Sequence, residues 1–285
     1  MENKLYSSPV FALTEFDSIH DALVIMQTNF IRRVIIIKGK KPVGIVTERD
    51  INKFLENDKT MRAPDKVPLK EIMKKNLISV IVGQQDHLEQ CATRMETFKI
   101  GSIIIIGDDG NLVGITTQTD IAASYAKMYP GKYKVKDYMT DKVFTCRNSD
   151  SLKFALETIN KNNISRLIVT DGDGNVKGVI TTNTFLKHSS YFKKPIATRE
   201  YLLSDESSDS LAVSDLVRNE ILVIEPDEDL ATAAHLMIKN NIGGIPVIVL
   251  QKNKLAGIVT KFDVVRAFAE ILPHRKLLEK YRTFH

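Results

Sequence analysis

The chain has no tryptophan and only two cysteines in 285 residues. Cys91 and Cys146 are not in CxxC spacing, and Cys91 falls on an apolar helical stripe. Both read as reduced core thiols rather than a disulfide or a metal site. No apolar run approaches the ~18 residues a membrane helix needs, and the opening MENKLYSSPV has no apolar signal core. This predicts a soluble, cytoplasmic chain without a membrane role. The six histidines (His20, His87, His188, His235, His274, His285) are scattered without metal spacing. A phosphate loop of the GxxxxGK type and a nucleophile elbow are both missing. The turn Asp171-Gly172-Asp173-Gly174-Asn175 begins like a calcium loop. Val176 stands where that loop needs glycine, and Thr182 where it needs glutamate, so a hairpin turn is expected. Asp108–Asp109 reads as a turn, not a catalytic carboxylate pair. These absences argue against an enzyme. A large excess of charge is also lacking: 40 Lys and Arg stand against 35 Asp and Glu, a net +5. The excess lies mainly in the second half and does not by itself imply nucleic acid.

What is present is one pattern repeated four times. Apolar residues recur at i, i+3, i+4 and i+7: Ile19, Ala22, Leu23, Met26; Leu88, Cys91, Ala92, Met95; Leu152, Ala155, Leu156, Ile159; Leu230, Ala233, Ala234, Met237. Each set is one buried helix face. A β-branched run follows, then a turn rich in Gly, Asp, Asn and Lys, then a Gly-led segment: GIVTERD at 44–50, GITTQTD at 114–120, GVITTNT at 178–184 and GIVTKFD at 257–263. The glycines lie 70, 64 and 79 residues apart. Units this small cannot bury their apolar faces alone, so the copies must stack.

Each copy reads strand–helix–strand–strand–helix, an α/β (α+β) chain of βαββα units. In copy one the spacing predicts a strand at Val10–Leu13, a helix capped by Asp17 and running to about Asn29, strands at Val34–Ile37 and Pro42–Val46, and a second helix from Glu48. The middle strand recurs at Ile103–Ile106, Leu167–Thr170 and Ile245–Leu250. The units are bounded as 1–67, 68–130, 131–191 and 192–285, the last including a linker and a basic tail. Connectors lie at Asp58–Pro68, Met128–Lys136 and Phe192–Leu211, with Ser204–Ser210 read as mobile.

The Gly-apolar-x-Thr-x-x-Asp segment ends a strand and starts a helix, and two chemistries fit it. Thr at the N-cap with Asp three residues on approximates a capping box, which satisfies orphan backbone N–H groups. The same geometry suits a nucleoside phosphate. A helix N-terminus attracts phosphate, the hydroxyl adds a hydrogen bond, and a carboxylate can accept from both hydroxyls of a ribose.

The fourfold order and this signature resemble CBS (cystathionine β-synthase) domains. So do the openings Lys70-Glu71-Ile72-Met73 and Lys136-Asp137-Tyr138-Met139 and the strand entries Arg32-Arg33-Val34-Ile35 and Gly243-Gly244-Ile245-Pro246. The layout is similar to stand-alone archaeal four-repeat proteins and to the gamma subunit of AMP-activated protein kinase. The resemblance implies Bateman modules, pairs of repeats (1 with 2, 3 with 4), whose clefts bind AMP, ADP, ATP or S-adenosylmethionine. It implies that the Asp holds the ribose and that the Thr lies near the α-phosphate. On this sequence those residues are Thr47 and Asp50, Thr117 and Asp120, and Thr260 and Asp263. Copy three has Thr181 but Thr184 in place of the Asp, so its site is expected to be empty or altered. Family members place a basic residue just before the middle strand. Arg33 is then expected to serve the first module, and Arg166 to reach a phosphate whose ribose sits on Asp263. Solvated or ion-paired arginines are the alternative.

The expected function is non-enzymatic: an adenine-nucleotide sensor that changes the angle between paired repeats and signals to an unknown effector protein. A disk within one chain or across a homodimer is expected. The competing reading is nucleic-acid (RNA, tRNA or DNA) binding through Lys127–Lys136, with Tyr129 and Tyr133, and through Arg275–Arg282, where cations and aromatics interleave. A third is a scaffold whose Thr–Asp pairs only cap helices.

Overall fold

The structure, a computed structural model, describes residues 6–57, 60, 62–83, 87–188, 212–217, 221–252 and 254–271. The linker 192–211 and the basic tail 273–285 lie outside the described residues. Repeat 1 comprises β1 (Ala12–Thr14), α1 (Ile19–Thr28), β2 (Arg33–Lys38), β3 (Lys41–Thr47) and α2 (Glu48–Asn57). Repeat 2 has β4 (Ser79–Ile81), α3 (His87–Phe98), β5 (Ser102–Ile106), β6 (Leu112–Thr117) and α4 (Gln118–Met128). A short α5 (Val135–Tyr138) precedes β7 (Thr145–Arg147), α6 (Leu152–Lys161), β8 (Arg166–Thr170), β9 (Val176–Thr181) and α7 (Thr182–His188) of repeat 3. Repeat 4 has α8 (Leu230–Lys239), β10 (Gly244–Val249), β11 (Lys254–Thr260) and α9 (Lys261–Ile271).

The expected helical stripes are the buried faces. Ile19, Ala22, Leu23 and Met26 are at most 3% exposed, and the stripes of α3, α6 and α8 are likewise buried. The β-branched runs form the central strands. Each sheet of repeats 1 to 3 has the order first–middle–last, with the first pair parallel across the helix and the second antiparallel. In repeat 4 the first strand is reduced to a single parallel bridge, Ile224 to Val247. Hairpin glycines Gly39, Gly110 and Gly174 have φ of 63°, 77° and 83°, which only Gly adopts without strain. The α1 cap is Ser18, not the expected Asp17. Ser18 forms a full capping box with Asp21, while the Asp17 carboxylate accepts from Thr14 and closes the preceding turn.

The chain divides into two compact units. One holds Met1–Val10, Ile78–Lys142 and Leu222–His285, hence repeats 2 and 4. The other holds Phe11–Leu77 and Val143–Ile221, hence repeats 1 and 3. Within the units, repeat 2 thus groups with repeat 4 and repeat 1 with repeat 3. In the first unit α4 packs on α8 and α9, and α9 also packs on α3. A single apolar core runs through both repeats, from Met95 and Tyr125 to Met237 and Phe268. In the second unit the repeats keep separate cores, one around Leu23, Ile36 and Ile51 and the other around Leu156, Leu167 and Val169.

The opening segments do not fold onto the repeats they introduce. Lys70–Met73 packs on repeat 1, with Ile72 and Met73 against its core and Lys74 bridging Ile45. The Ser7 backbone bridges Ile115 of repeat 2, and Thr140 bridges Ile258 of repeat 4. Val217 lies against repeat 3.

Candidate functional site

All four junctions between the last strand and the second helix close in the same way. The first helical N–H donates to the carbonyl two residues ahead of the middle strand's second residue: Glu48 to Arg32, Gln118 to Gly101, Thr182 to Ser165 and Lys261 to Gly243, at 3.1–3.3 Å. The Thr backbone N–H and hydroxyl then donate to one carboxylate oxygen, Oδ2, of Asp50, Asp120 and Asp263, with hydroxyl contacts of 2.5–2.7 Å. The capping chemistry is therefore present at every junction. In repeat 3 Thr184 substitutes for the carboxylate, its hydroxyl accepting from the Thr181 N–H at 3.2 Å.

The second carboxylate oxygen separates the sites. Asp50 Oδ1 is ion-paired to Lys74 at 2.7 Å. Asp263 Oδ1 accepts from Arg266 at 3.3 Å, and Asp263 is only 4% exposed. Burial lifts its carboxyl above the ordinary 3.8, against the pull of Thr260 and Arg266. The half-buried Asp120 has hydrogen bonds to Oδ2 alone among the described residues. Its Oδ1 is the acceptor that capping leaves over.

The sheet register places the predicted arginines. Arg33 lies directly across from Thr47, and Arg166 across from Thr181. Directly opposed residues share a sheet face, so each arginine stands beside the Thr of its own repeat. Arg166 and Asp263 belong to different units.

Lys261 was not anticipated. It lies between Thr260 and Asp263, is 7% exposed, and donates to the Thr119 hydroxyl at 3.0 Å. A buried ammonium thus links the junctions of repeats 2 and 4. In the other unit the corresponding link has the opposite sign: the Glu48 carboxylate, 5% exposed, accepts from Asn183 at 2.8 Å. The signal was in the sequence, in the variable positions of Thr-x-x-Asp, but only folding shows that they face a second junction.

In the stretch 127–136 the lysines are exposed, and Lys132 Nζ lies over the Tyr133 ring, 5.9 Å from its centroid. Lys134 and Lys136 pair with Asp227 at 3.1 and 2.7 Å. Tyr129 packs on Tyr125 and Phe268, and Tyr133 on Tyr138. Asp171 takes hydrogen bonds from Asn175 and pairs with Lys177, which hold its carboxyl at about 2, and it also accepts from the Asp173 N–H, closing the expected hairpin turn. No group of three or more metal-ligating side chains occurs among the described residues, and no helix among them is long and apolar enough to cross a membrane. Cys91 and Cys146 are buried, and burial pushes both thiols up to about 12.

This fourfold architecture has a match by sequence. The CBS domain family model fits residues 3–57, 69–127, 135–191 and 213–270. The chain belongs to the CBS domain family. Its CBS repeats are 24% identical to protein MJ1225 of Methanocaldococcus jannaschii over 267 residues, 88% of this chain and 92% of that protein. A CBS domain-containing protein of Dictyostelium discoideum is 33% identical over 147 residues, 50% of this chain and 94% of the relative. The crystal structure of MJ1225, proposed as an archaeal homologue of g-AMPK, shares the fold at a TM-score of 0.77, covering 93% of this chain and 99% of that one.

Proposed function

We propose that this CBS protein is a non-enzymatic sensor that binds an adenine nucleotide (AMP, ADP, ATP or S-adenosylmethionine) at its Thr-x-x-Asp junctions and passes the bound state to an effector protein. The observation that carries this reading is the unit of repeats 2 and 4. There an uncommitted Asp120 oxygen and a buried Lys261 ammonium flank helix N-termini. Ribose hydroxyls would donate to Asp120 Oδ1, and phosphate oxygens would accept from Lys261 and Thr119. Thr117 and Thr260 stay in their caps.

Ranking follows from the second oxygens. Asp120 is the principal site. A ligand at Asp50 must displace Lys74, with Arg33 nearby as the cation. A ligand at Asp263 must compete with Arg266 in a buried setting. Repeat 3, with Thr184, holds no ribose, and Arg166 serves phosphate. A ligand-driven change requires different affinities in two arrangements of the repeats, and a homodimer offers a second surface on which to express it.

Titration calorimetry of the whole chain with AMP, ATP and S-adenosylmethionine tests this. Replacing Asp50, Asp120 and Asp263 together by Asn should remove the binding that the junctions contribute, read as a fall in AMP bound per chain, and Asp120→Asn alone should weaken that binding about tenfold. Lys261→Met should weaken AMP and leave adenosine unchanged. Unchanged stoichiometry and affinity for AMP in the triple variant would reduce the junctions to helix caps.

A further inference from the structure

The unit of repeats 1 and 3 contains a cavity of about 980 Å³ between α2 and the C-terminal end of α6, with Arg49 and Thr182 of the two junctions in its wall. Its place in the fold is informative. Five residues after the cap Thr, repeats 2 and 4 carry Ala122 and Val265, each 0% exposed in their shared apolar core. The same position in repeat 1 is Asn52. Asn52 is 3% exposed, lines the cavity, and among the described residues neither its amide nitrogen nor its oxygen has a hydrogen-bond partner. A packing defect would leave an apolar wall. Here a buried side chain with both a donor and an acceptor has replaced the apolar residue, and such groups are almost always satisfied.

The remaining wall describes what could satisfy it. Arg49, Lys53 and Lys161 line the cavity against one carboxylate, Glu157. Arg49 donates to the neutral Ser165 hydroxyl at 2.6 Å. Phe154, 47% exposed, lines the same wall. A cavity of this volume is within the range that encloses a small ligand.

We propose that this cavity is a second ligand site, for a phosphorylated small molecule with a nucleobase-like edge. Asn52 would read the edge through paired donor and acceptor, Phe154 would stack on it, and Arg49 and Lys161 would hold the phosphate. Arg49 belongs to the Thr47–Asp50 segment, but the site uses none of the signature Thr and Asp side chains.

The test uses the full chain with Asp50, Asp120 and Asp263 all replaced by Asn, which silences the junctions. Calorimetry with AMP, GMP, ribose 5-phosphate and inorganic phosphate should show saturable binding of a nucleotide. Adding Asn52→Leu should weaken it about tenfold or more, without lowering the thermal unfolding midpoint. Lys161→Gln, at an exposed position, should also weaken it and gives an independent reading should the Leu variant misfold. Ribose 5-phosphate binding as tightly as the nucleotide would assign the phosphate alone and overturn the edge-reading role of Asn52. Absence of binding in the triple variant, or binding indifferent to both substitutions, would overturn the site. Equal AMP binding by the native and triple chains, lost on adding Asn52→Leu, would sustain the cavity and sink the junction reading.

Discussion

At the scale of single residues, burial sets the chemistry. His87 is 6% exposed, with Nε2 3.1 Å from the Thr116 hydroxyl, 3.9 Å from Cys91 Sγ, and its ring against Tyr6. Desolvation holds its pKa below 6.5, outweighing the pull of Glu89. The unfolded chain then binds the proton more readily than the fold. Stability is full above pH 6.5 and falls as the pH drops through that value toward the folded pKa, by at most about 1.4 kcal/mol per pH unit. Chemical denaturation between pH 7 and 5 should show this loss, and His87→Gln should flatten it. Asp263 runs the other way. Its raised pKa means that protonation, and loss of an acceptor for ribose, sets in above the ordinary 3.8. What the sequence revealed at this scale was residue type. Thr, Asp and their spacing were legible because capping and ribose binding both demand them. The free oxygen of Asp120 and the reach of Lys261 were not, since each depends on a partner more than a hundred residues away or on the absence of one.

At the scale of elements, the signature glycines have a structural cause that periodicity could not show. A Cβ on Gly257 would collide with the Thr140 carbonyl oxygen, because the segment before repeat 3 crosses β11 there. A Cβ on Gly44 would meet Met73 Sδ at 2.7 Å, the far end of a flexible side chain. Gly257→Ala must push backbone and break the reciprocal Thr140–Ile258 hydrogen bonds, so it should cost about 2–3 kcal/mol. Gly44→Ala should cost less, about 1–2 kcal/mol, since Met73 Sδ can swing away and only the tight contact with Met73 Cβ at 3.2 Å remains. Urea unfolding of the two variants would check the order, and equal losses would refute the crossing as the reason for Gly. Elements themselves were read to within a residue or two because their apolar periods are strong. The exchange of opening segments was not, since Lys70–Met73 and Lys136–Met139 carry the same apolar spacing whichever repeat they cover.

At the scale of the whole chain, the two units differ in how their repeats depend on each other. Repeats 2 and 4 bury Phe268 and Tyr125 in one core, both 0% exposed, so neither repeat can open without uncovering apolar surface of the other. Repeats 1 and 3 have their own cores, with polar links such as Glu48–Asn183 and Arg49–Ser165 between them and the Asn52 cavity beside those links. Cooperativity follows the core, not the order of the chain. Phe268→Ala should therefore cost about 3–5 kcal/mol and speed amide exchange in α3, α4 and α8 as well as α9. Ile51→Ala, an equally buried deletion in repeat 1, should cost about 2–5 kcal/mol and leave exchange in β8 and α6 of repeat 3 near its native rate. Exchange measured by mass spectrometry on both variants decides between them. Spread of the Ile51 effect into repeat 3 would mean that its polar links couple the repeats as tightly as a shared core does. The cavity would then carry the coupling, and a ligand filling it would stiffen both repeats together.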